Sequence, residues 1–303
     1  MPSEKALLKK LRDTLQNVAL DVPLSTMTTI RIGGPAKFFF TANTDEDIVK
    51  AVSLARELGM PHLLLGSGAN TLIADAGFPG LVIAVKNIGI DVNDHSVSAG
   101  AGVTIGQLVL SAVKQGLSGI ECWAGIPGTV GGSIYGNMGL PSVEKGEIKD
   151  WLSSVTVFRE GELKTLKGEE CGFGYRDSVF KTTDGVIIRG TFILERSGSG
   201  GDGMKLMQEF HKKKVNSQPL SMPSSGCIFK NPKGDSAGRL IDEAGLKGRR
   251  EGDAQISPHH ANFIVNLGHA HASDVIMLSS LARDEVKNKF GIALNYEINR
   301  IGV

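Results

Sequence analysis

TDEDIVKAVSLARELGMPHLLLGSGANTLIADAGFPGLVIAV, residues 44–85, decides the fold class. Thr44 stands ahead of three acids, and Ile48, Val52, Ala55 and Leu58 recur at helical spacing until Gly59 stops the run. A side-chain acceptor, an acidic first turn and a terminating glycine predict a helix over 44–59. KFFF before it (Lys37–Phe40) and HLLL after it (His62–Leu65) are short apolar runs that read as strands, and LVIAV (Leu81–Val85) reads as another. Strand, helix, strand, strand is an α/β pattern.

Working outward, the region from Asn87 to Glu195 predicts strands at SVSAG, SSVTVF and VIIRGTFIL and a helix from Thr104 to Gln115, ended by Gly116. SGSGGDG (197–203) reads as a junction between domains or as a surface loop. Beyond it come a lysine-rich helix (Met204–Val215), a helix at SAGRLIDEAG, a strand at ANFIVN, a helix over Ser273–Phe290 and a final strand ALNYEINRIG. At the N-terminus, Leu7, Leu8, Leu11 and Leu15 form one face of a short helix capped by Ser3. The expected domains are 1–86, 87–200 and 201–303.

Composition excludes several classes of function. Lys and Arg number 33 against 32 Asp and Glu, a net charge of +1, so no global field draws the chain to nucleic acid or to an anionic membrane. The amphipathic N-terminus is not a signal peptide, and no apolar run reaches the ~20 residues a bilayer requires. Cys122, Cys171 and Cys227 are odd in number and form no CxxC pair, which argues against disulfides and structural zinc and suits the reducing cytoplasm. His259, His260, His269 and His271 lack further ligands at useful spacing, so no metal is expected.

The 39 glycines cluster. In LLGSGANTLIAD, Gly66 and Gly68 would let backbone N–H groups approach a pyrophosphate, with Ser67, Asn70 and Thr71 as side-chain donors. AGIPGTVGGSIYGNMG (Ala124–Gly139) has the same character. Neither fits GxGxxG or a P-loop, and tight turns between strands explain either loop taken alone.

Seven stretches occur in order: TTIRIGGPAKFF (28–39), LGSGANTLIAD, GIPGTVGGSIYGNMG, FGYRDSVFK (173–181), SGCIFKNP (225–232), HANFIVN (260–266) and YEINRIG (296–302). Together they resemble the UDP-N-acetylenolpyruvoylglucosamine reductase family over nearly the whole chain. The resemblance implies a two-subdomain FAD-binding α/β (α+β) fold of the vanillyl-alcohol-oxidase type, followed by a C-terminal α+β substrate domain. FGYRDSVFK passes through TTDG directly into VIIRG, which looks like the family's second class, without the extra loop that carries a substrate tyrosine.

The resemblance implies non-covalent FAD, NADPH as reductant, and UDP-N-acetylglucosamine enolpyruvate as the substrate of a cytoplasmic, monomeric enzyme. On that reading the FAD is held by Arg31 of the 28–34 segment, by Gly66, Ser67, Gly68, Asn70 and Thr71, and by Gly125, Ile126, Pro127, Gly128, Thr129, Gly131, Gly132, Gly136 and Asn137. Tyr175, Lys230 and Asn231 would touch the substrate, the last two supplying charge and amide donors to phosphates or sugar. Arg176 matches the arginine beside the substrate carboxylate, a role that suits a rigid, permanently charged fork. Read from the residues alone, it pairs with Asp177.

Glu297 matches the family's C-terminal glutamate, which shares or orients a proton; strand alternation would equally turn it outward. Cys227 stands where the family usually has a serine proton donor. A thiol, with an ordinary pKa of ~8.5, can give a proton at neutral pH unless nearby cations convert it to thiolate, and a lone cysteine is otherwise a small packing residue. Ser224 and Ser225 are donors only if the loop shifts. An oxidase of the same fold and a non-catalytic flavin-binding protein are the competing readings. Arg176, FKNP and Glu297 together favour the reductase.

Overall fold

The structure, a computed structural model, describes residues 4–197 and 200–303. The helix expected over 44–59 is present as Asp45–Glu57, and its start is fixed by a reciprocal cap: Asp47 N–H donates to Thr44 Oγ1 at 3.1 Å, and Thr44 N–H donates to Asp47 Oδ2 at 3.1 Å. Ile48, Ala51, Val52, Leu54 and Ala55 form its buried stripe, and Gly59 leaves the helix at φ +59°. The same devices bound Ile105–Lys114, with Thr104 and Gln107 as the cap pair and Gly116 at φ +70° beyond the end. The N-terminal helix, Glu4–Thr14, buries Leu11 and delivers buried Leu15 just past its end. Its expected cap, Ser3, lies outside the described residues.

An N-terminal sheet orders its strands Ala19–Pro23, Pro35–Ala42, Phe78–Val85, His62–Leu65. A five-stranded antiparallel sheet runs Glu162–Lys167, Leu152–Arg159, Val186–Ile193, Ser96–Gly100, Ile90–Asn93. A four-stranded antiparallel sheet runs Ser224–Cys227, Phe263–Asn266, Ala254–Ile256, Arg250–Glu251. Two short pairs complete the set: Glu195–Arg196 with Leu117–Ser118, and Asn299–Ile301 parallel to Thr71–Ile73.

Contacts gather the chain into two interleaved compact units instead of three sequential domains. The first comprises 1–18, 40–66 and 83–214, and the second 19–39, 67–82 and 215–303. The physical reason lies in the core of the second unit, which buries Ile30, Ile32 and Leu72 with Ile228, Phe229, Leu240, Ile264, Val275 and Ile298. At about 1.5–3 kcal/mol for each large aliphatic side chain removed from water, that core binds distant chain segments together. In the first unit Trp123 and Phe192 meet edge to face at 6.0 Å, both fully buried.

Two expectations need correcting. Gly200–Gly203 is not a flexible junction but the first turn of the helix Gly200–Ser217, while Gly198 and Ser199 lie outside the described residues. The C-terminal segment forms a strand only over Asn299–Ile301. Upstream of it Tyr296 makes a single antiparallel bridge to Phe229, so uniform alternation does not set the direction of Glu297.

Buried asparagines hold irregular backbone within the second unit. Asn262, 2% exposed, accepts from Phe229 N–H at 2.9 Å and donates to Phe229 C=O at 2.8 Å. Asn266 donates to Ile30 C=O and accepts from the Gly268 and Ala270 N–H groups. Asn262→Ala strips both partners from a buried peptide unit, and unsatisfied buried groups cost about 1–3 kcal/mol each. Urea unfolding of this variant is expected to show a lower midpoint, a loss of about 2–4 kcal/mol at unchanged slope; an unchanged midpoint refutes the clamp.

Candidate active site

The loop 66–71 is shaped by close backbone approaches. In the first unit, a Cβ on Gly66 would fall 2.4 Å from Thr129 Oγ1. In the second, Gly68 has φ +60° and is buried, and a Cβ there would meet Met27 C=O at 2.4 Å. Packing against the 27–28 backbone therefore demands this glycine. The side-chain amide of Asn70 donates to Glu297 C=O at 3.1 Å, while its main-chain carbonyl accepts from Asn299 N–H at 2.9 Å. Thr71 begins the parallel pair with Asn299. Ser67 is half-buried; Arg31 is exposed at φ +58°, on a turn that Thr28 closes by bonding Ile32 on both its N–H and its C=O.

The second glycine-rich loop belongs wholly to the first unit. Ile105 N–H donates to Gly128 C=O, Val130 N–H to Val103 C=O and Gly131 N–H to Ala101 C=O, which seats the short helix Val130–Gly136. Gly131 faces Ala101, where a Cβ would clash at 2.9 Å. A Cβ on Gly136 would have nothing within 4 Å, and one on Gly132 would touch only Thr129 Oγ1 at 3.6 Å. Pro127 and Gly132 are exposed, and Gly125, Ile126, Gly128 and Gly136 are half-exposed, while Thr129 is largely buried. The open backbone at Gly132 and Gly136 leaves room for a ligand to approach closely. A Cβ on Gly125 would meet His211 Nδ1 at 2.6 Å, which places the His211 ring against this loop.

Asn137, expected at the cofactor, is 0% exposed and cannot touch a ligand. Its amide donates to Gly174 C=O at 2.8 Å and accepts from Lys149 N–H at 3.2 Å.

Arg176 lies in the first unit on a tight turn, in which Gly174 and Asp177 exchange both backbone hydrogen bonds at 3.1 and 3.2 Å. Its φ of +54° is left-handed, a conformation that costs a non-glycine residue about 1–2 kcal/mol and is held by its surroundings. Nη1 donates to Asn137 C=O at 3.4 Å and Nη2 to Gly139 C=O at 3.0 Å. Lys181 donates to Arg176 C=O at 2.6 Å, sits 3.9 Å from the Asp177 carboxylate and lies over the Tyr135 ring. Tyr175, 43% exposed, stacks under the guanidinium at 5.4 Å, so it is accessible to a substrate. Burial, with the Asp177 charge, pushes the Tyr135 hydroxyl pKa up.

Cys227 and Glu297 belong to the second unit and share a neighbourhood. Cys227 ends the strand Ser224–Cys227, opposite Phe263, after a bulge that contains Gly226 at φ +75°. Glu297 N–H donates to Ile228 C=O at 2.8 Å, placing the glutamate on the segment beside the cysteine, and both are half-buried. Lys230 N–H donates to Asn295 C=O. Asn231 Oδ1 accepts from Ala237 N–H at the start of the helix Ala237–Glu243, and its Nδ2 is the donor end of the amide. Ser225 is 1% exposed and its hydroxyl has no partner, so it is too enclosed to meet a substrate; Ser224 C=O accepts from Thr29 Oγ1.

Among the thiols, burial and the neighbouring Glu121 raise the pKa of Cys122 to about 11, and burial with Glu170 does the same to Cys171. Both are inert packing residues at neutral pH. Of the histidines, His271 is the N-cap residue of the helix Ala272–Phe290 and His259 Nε2 bonds Asn216 C=O. Burial lowers the His260 pKa. Sequence reasoning missed Asn262 and Lys181. The signal for Asn262 was a polar residue directly preceding the strand FIVN, which is buried throughout.

The chain is similar to known proteins. The C-terminal domain of UDP-N-acetylenolpyruvoylglucosamine reductase matches residues 218–301, and an FAD binding domain matches residues 36–167. A UDP-N-acetylenolpyruvoylglucosamine reductase of Geobacillus kaustophilus is 39% identical over 95% of this chain and 94% of its own. That of Carboxydothermus hydrogenoformans is 39% identical over 99% of each chain. The crystal structure of the Thermus caldophilus enzyme superposes with a TM-score of 0.79 at 38% identity, covering 94% of this chain and 99% of that one. Physcomitrella patens BBE-like 1, at 18% identity and a TM-score of 0.50 over 63% of this chain and 44% of that one, shares the fold alone.

The glycines divide into two kinds, with opposite expected responses to a methyl group. Gly68→Ala forces a left-handed alanine into backbone and is expected to cost more than about 1 kcal/mol. Gly136→Ala, in open space at a helix end, is expected to leave stability unchanged or raise it by up to about 1 kcal/mol. Thermal unfolding of both variants distinguishes them, and equal responses would remove the distinction.

Proposed function

This chain belongs to the UDP-N-acetylenolpyruvoylglucosamine reductase family, and we propose that it reduces UDP-N-acetylglucosamine enolpyruvate to UDP-N-acetylmuramate, a bacterial peptidoglycan precursor, as an FAD-dependent oxidoreductase that consumes NADPH. The observation that carries this reading is full-length similarity at 39% identity, with the FAD-binding and C-terminal domain matches in the order the family requires. Among the described residues no group of three His, Cys, Asp or Glu gathers as ligands. No described helix is long and apolar enough to cross a membrane. We take the enzyme to act as a cytoplasmic monomer without nucleic-acid partners.

The residues that would hold FAD are the 125–136 loop, which is open at Gly132 and Gly136, the 66–71 loop and the turn at Arg31. When bound, FAD supplies hydride transfer from NADPH to the enolpyruvyl methylene carbon. The chain's own residues do the rest. Arg176 meets the substrate carboxylate, whose negative charge grows as hydride arrives, with a guanidinium already oriented before the reaction. Cys227 Sγ–H gives its proton to the adjacent carbon, and Glu297, on the neighbouring segment, orients that transfer or shares its proton. Tyr175, Lys230 and Asn231 contact the sugar nucleotide, with lysine as a point charge for phosphate. FKNP and Glu297 favour this reductase over an oxidase of the same fold.

The decisive test is spectroscopic. The purified protein is expected to be yellow, to bleach with NADPH in the absence of oxygen, and to regain colour with the enolpyruvyl substrate; a colourless protein, or one re-oxidised only by oxygen, sinks the proposal. Gly136→Ala is expected to weaken flavin retention about tenfold or more, because its methyl group occupies cofactor space. In stopped-flow experiments, Cys227→Ala and Cys227→Ser are both expected to be reduced normally by NADPH. Cys227→Ser re-oxidises with substrate, whereas Cys227→Ala does so about 10²–10⁴-fold more slowly. Full-speed re-oxidation of Cys227→Ala would assign the acid elsewhere.

A further inference from the structure

We propose that Asn137 is a positioning residue for Arg176: its side chain fixes the turn from which the arginine departs, and its main chain receives the guanidinium. The inference rests on the reading of Arg176 as the group that meets the substrate carboxylate. All the residues involved lie in the first unit.

Asn137 is the C-cap of the helix Val130–Gly136, at φ +44°. Its backbone turns the chain so that two carbonyls, those of Asn137 and Gly139, face Arg176 Nη1 and Nη2 at 3.4 and 3.0 Å. The far side of this segment is anchored to residues 146–149: Gly139 bridges Glu147, Ile148 N–H donates to Met138 C=O, and Lys149 N–H donates to Asn137 Oδ1 at 3.2 Å. The near side is anchored by Asn137 Nδ2, which donates at 2.8 Å to Gly174 C=O, the first residue of the turn that carries Arg176.

One buried amide therefore ties the carbonyls that aim the guanidinium to the turn that supplies it. An arginine has several rotatable bonds, and these two carbonyl contacts help to hold it only while the distance between turn and carbonyls is kept. Aspartate in place of Asn137 could accept from Lys149 N–H but could not donate to Gly174 C=O. Glycine keeps the left-handed backbone and removes the amide.

The test uses the flavin-loaded enzyme and a double-mutant cycle on its two half-reactions. Asn137→Gly is expected to bind flavin and to be reduced by NADPH within about twofold of wild type, while re-oxidation by the enolpyruvyl substrate slows about 10–100-fold, the scale of a misplaced catalytic group. Asn137→Asp should behave likewise. The variant Asn137→Gly with Arg176→Ala should re-oxidise no more slowly than Arg176→Ala alone. In enzyme labelled with ¹⁵N-arginine, the Arg176 guanidinium of Asn137→Gly should show faster rotation and proton exchange than in wild type, a readout that survives any loss of activity. Wild-type re-oxidation, additive effects with Arg176→Ala or an unchanged Arg176 resonance would each overturn the inference. An Arg176→Ala variant that re-oxidises at full speed would instead overturn the reading of Arg176 itself.

Discussion

Asn262 gives both ends of its amide to the two polar groups of one peptide residue, Phe229, and much of the second unit is built on that exchange. The segment from Cys227 to Asn231 is irregular after its strand ends, and buried irregular backbone must find partners somewhere. Phe229 is also the residue that bridges Tyr296 and stacks on its ring at 5.1 Å. Fixing Phe229 therefore fixes Ile228, which accepts from Glu297 N–H, and Lys230, which donates to Asn295 C=O. Main-chain bonds thus hold the chain on either side of Phe229 against the segment that carries Glu297.

The first unit uses the same device. Asn137 does for the arginine turn what Asn262 does for the cysteine segment, and Asn87 donates to Asp45 and Ile188 C=O and accepts from Gly102 N–H, holding the end of one sheet strand. In each case a short amide with fixed donor and acceptor ends bonds main-chain groups of a distant segment. Such residues carry chemistry-like identities, and so they invite assignment to ligands. Asn137 read that way in the sequence, and it is 0% exposed.

Much of the fold was legible because periodicity and capping act locally. Thr44, Asp47 and Gly59 define a helix within one short stretch, and the bounds found differ from the expected ones only at its frayed ends. The division into units was not legible, since it depends on which distant apolar residues share a core: nothing local in Ile30 or Leu72 reveals that they pack with Phe229 and Val275. The final strand misled for a related reason. ALNYEIN alternates as a strand should, yet its partners are single residues of another segment, so the ladder never forms upstream of Asn299.

For the candidate site, residue type was legible and direction was not. Gly66, Gly68, Gly131 and Gly136 all look alike in sequence, but the first three are demanded by protein atoms and only Gly136 opens onto space. The cysteines separate on the same principle: Cys122 and Cys171 are buried with thiol pKa values pushed to about 11, while Cys227 is half-exposed beside the glutamate segment. Burial therefore leaves Cys227 as the one cysteine a substrate can reach. The arginine completes the contrast. Two main-chain carbonyl oxygens, those of Asn137 and Gly139, accept hydrogen bonds from its fork. A main-chain acceptor has a direction set by the backbone, which is the physical reason a clamp placed by Asn137 suits a side chain whose use depends on where its fork points.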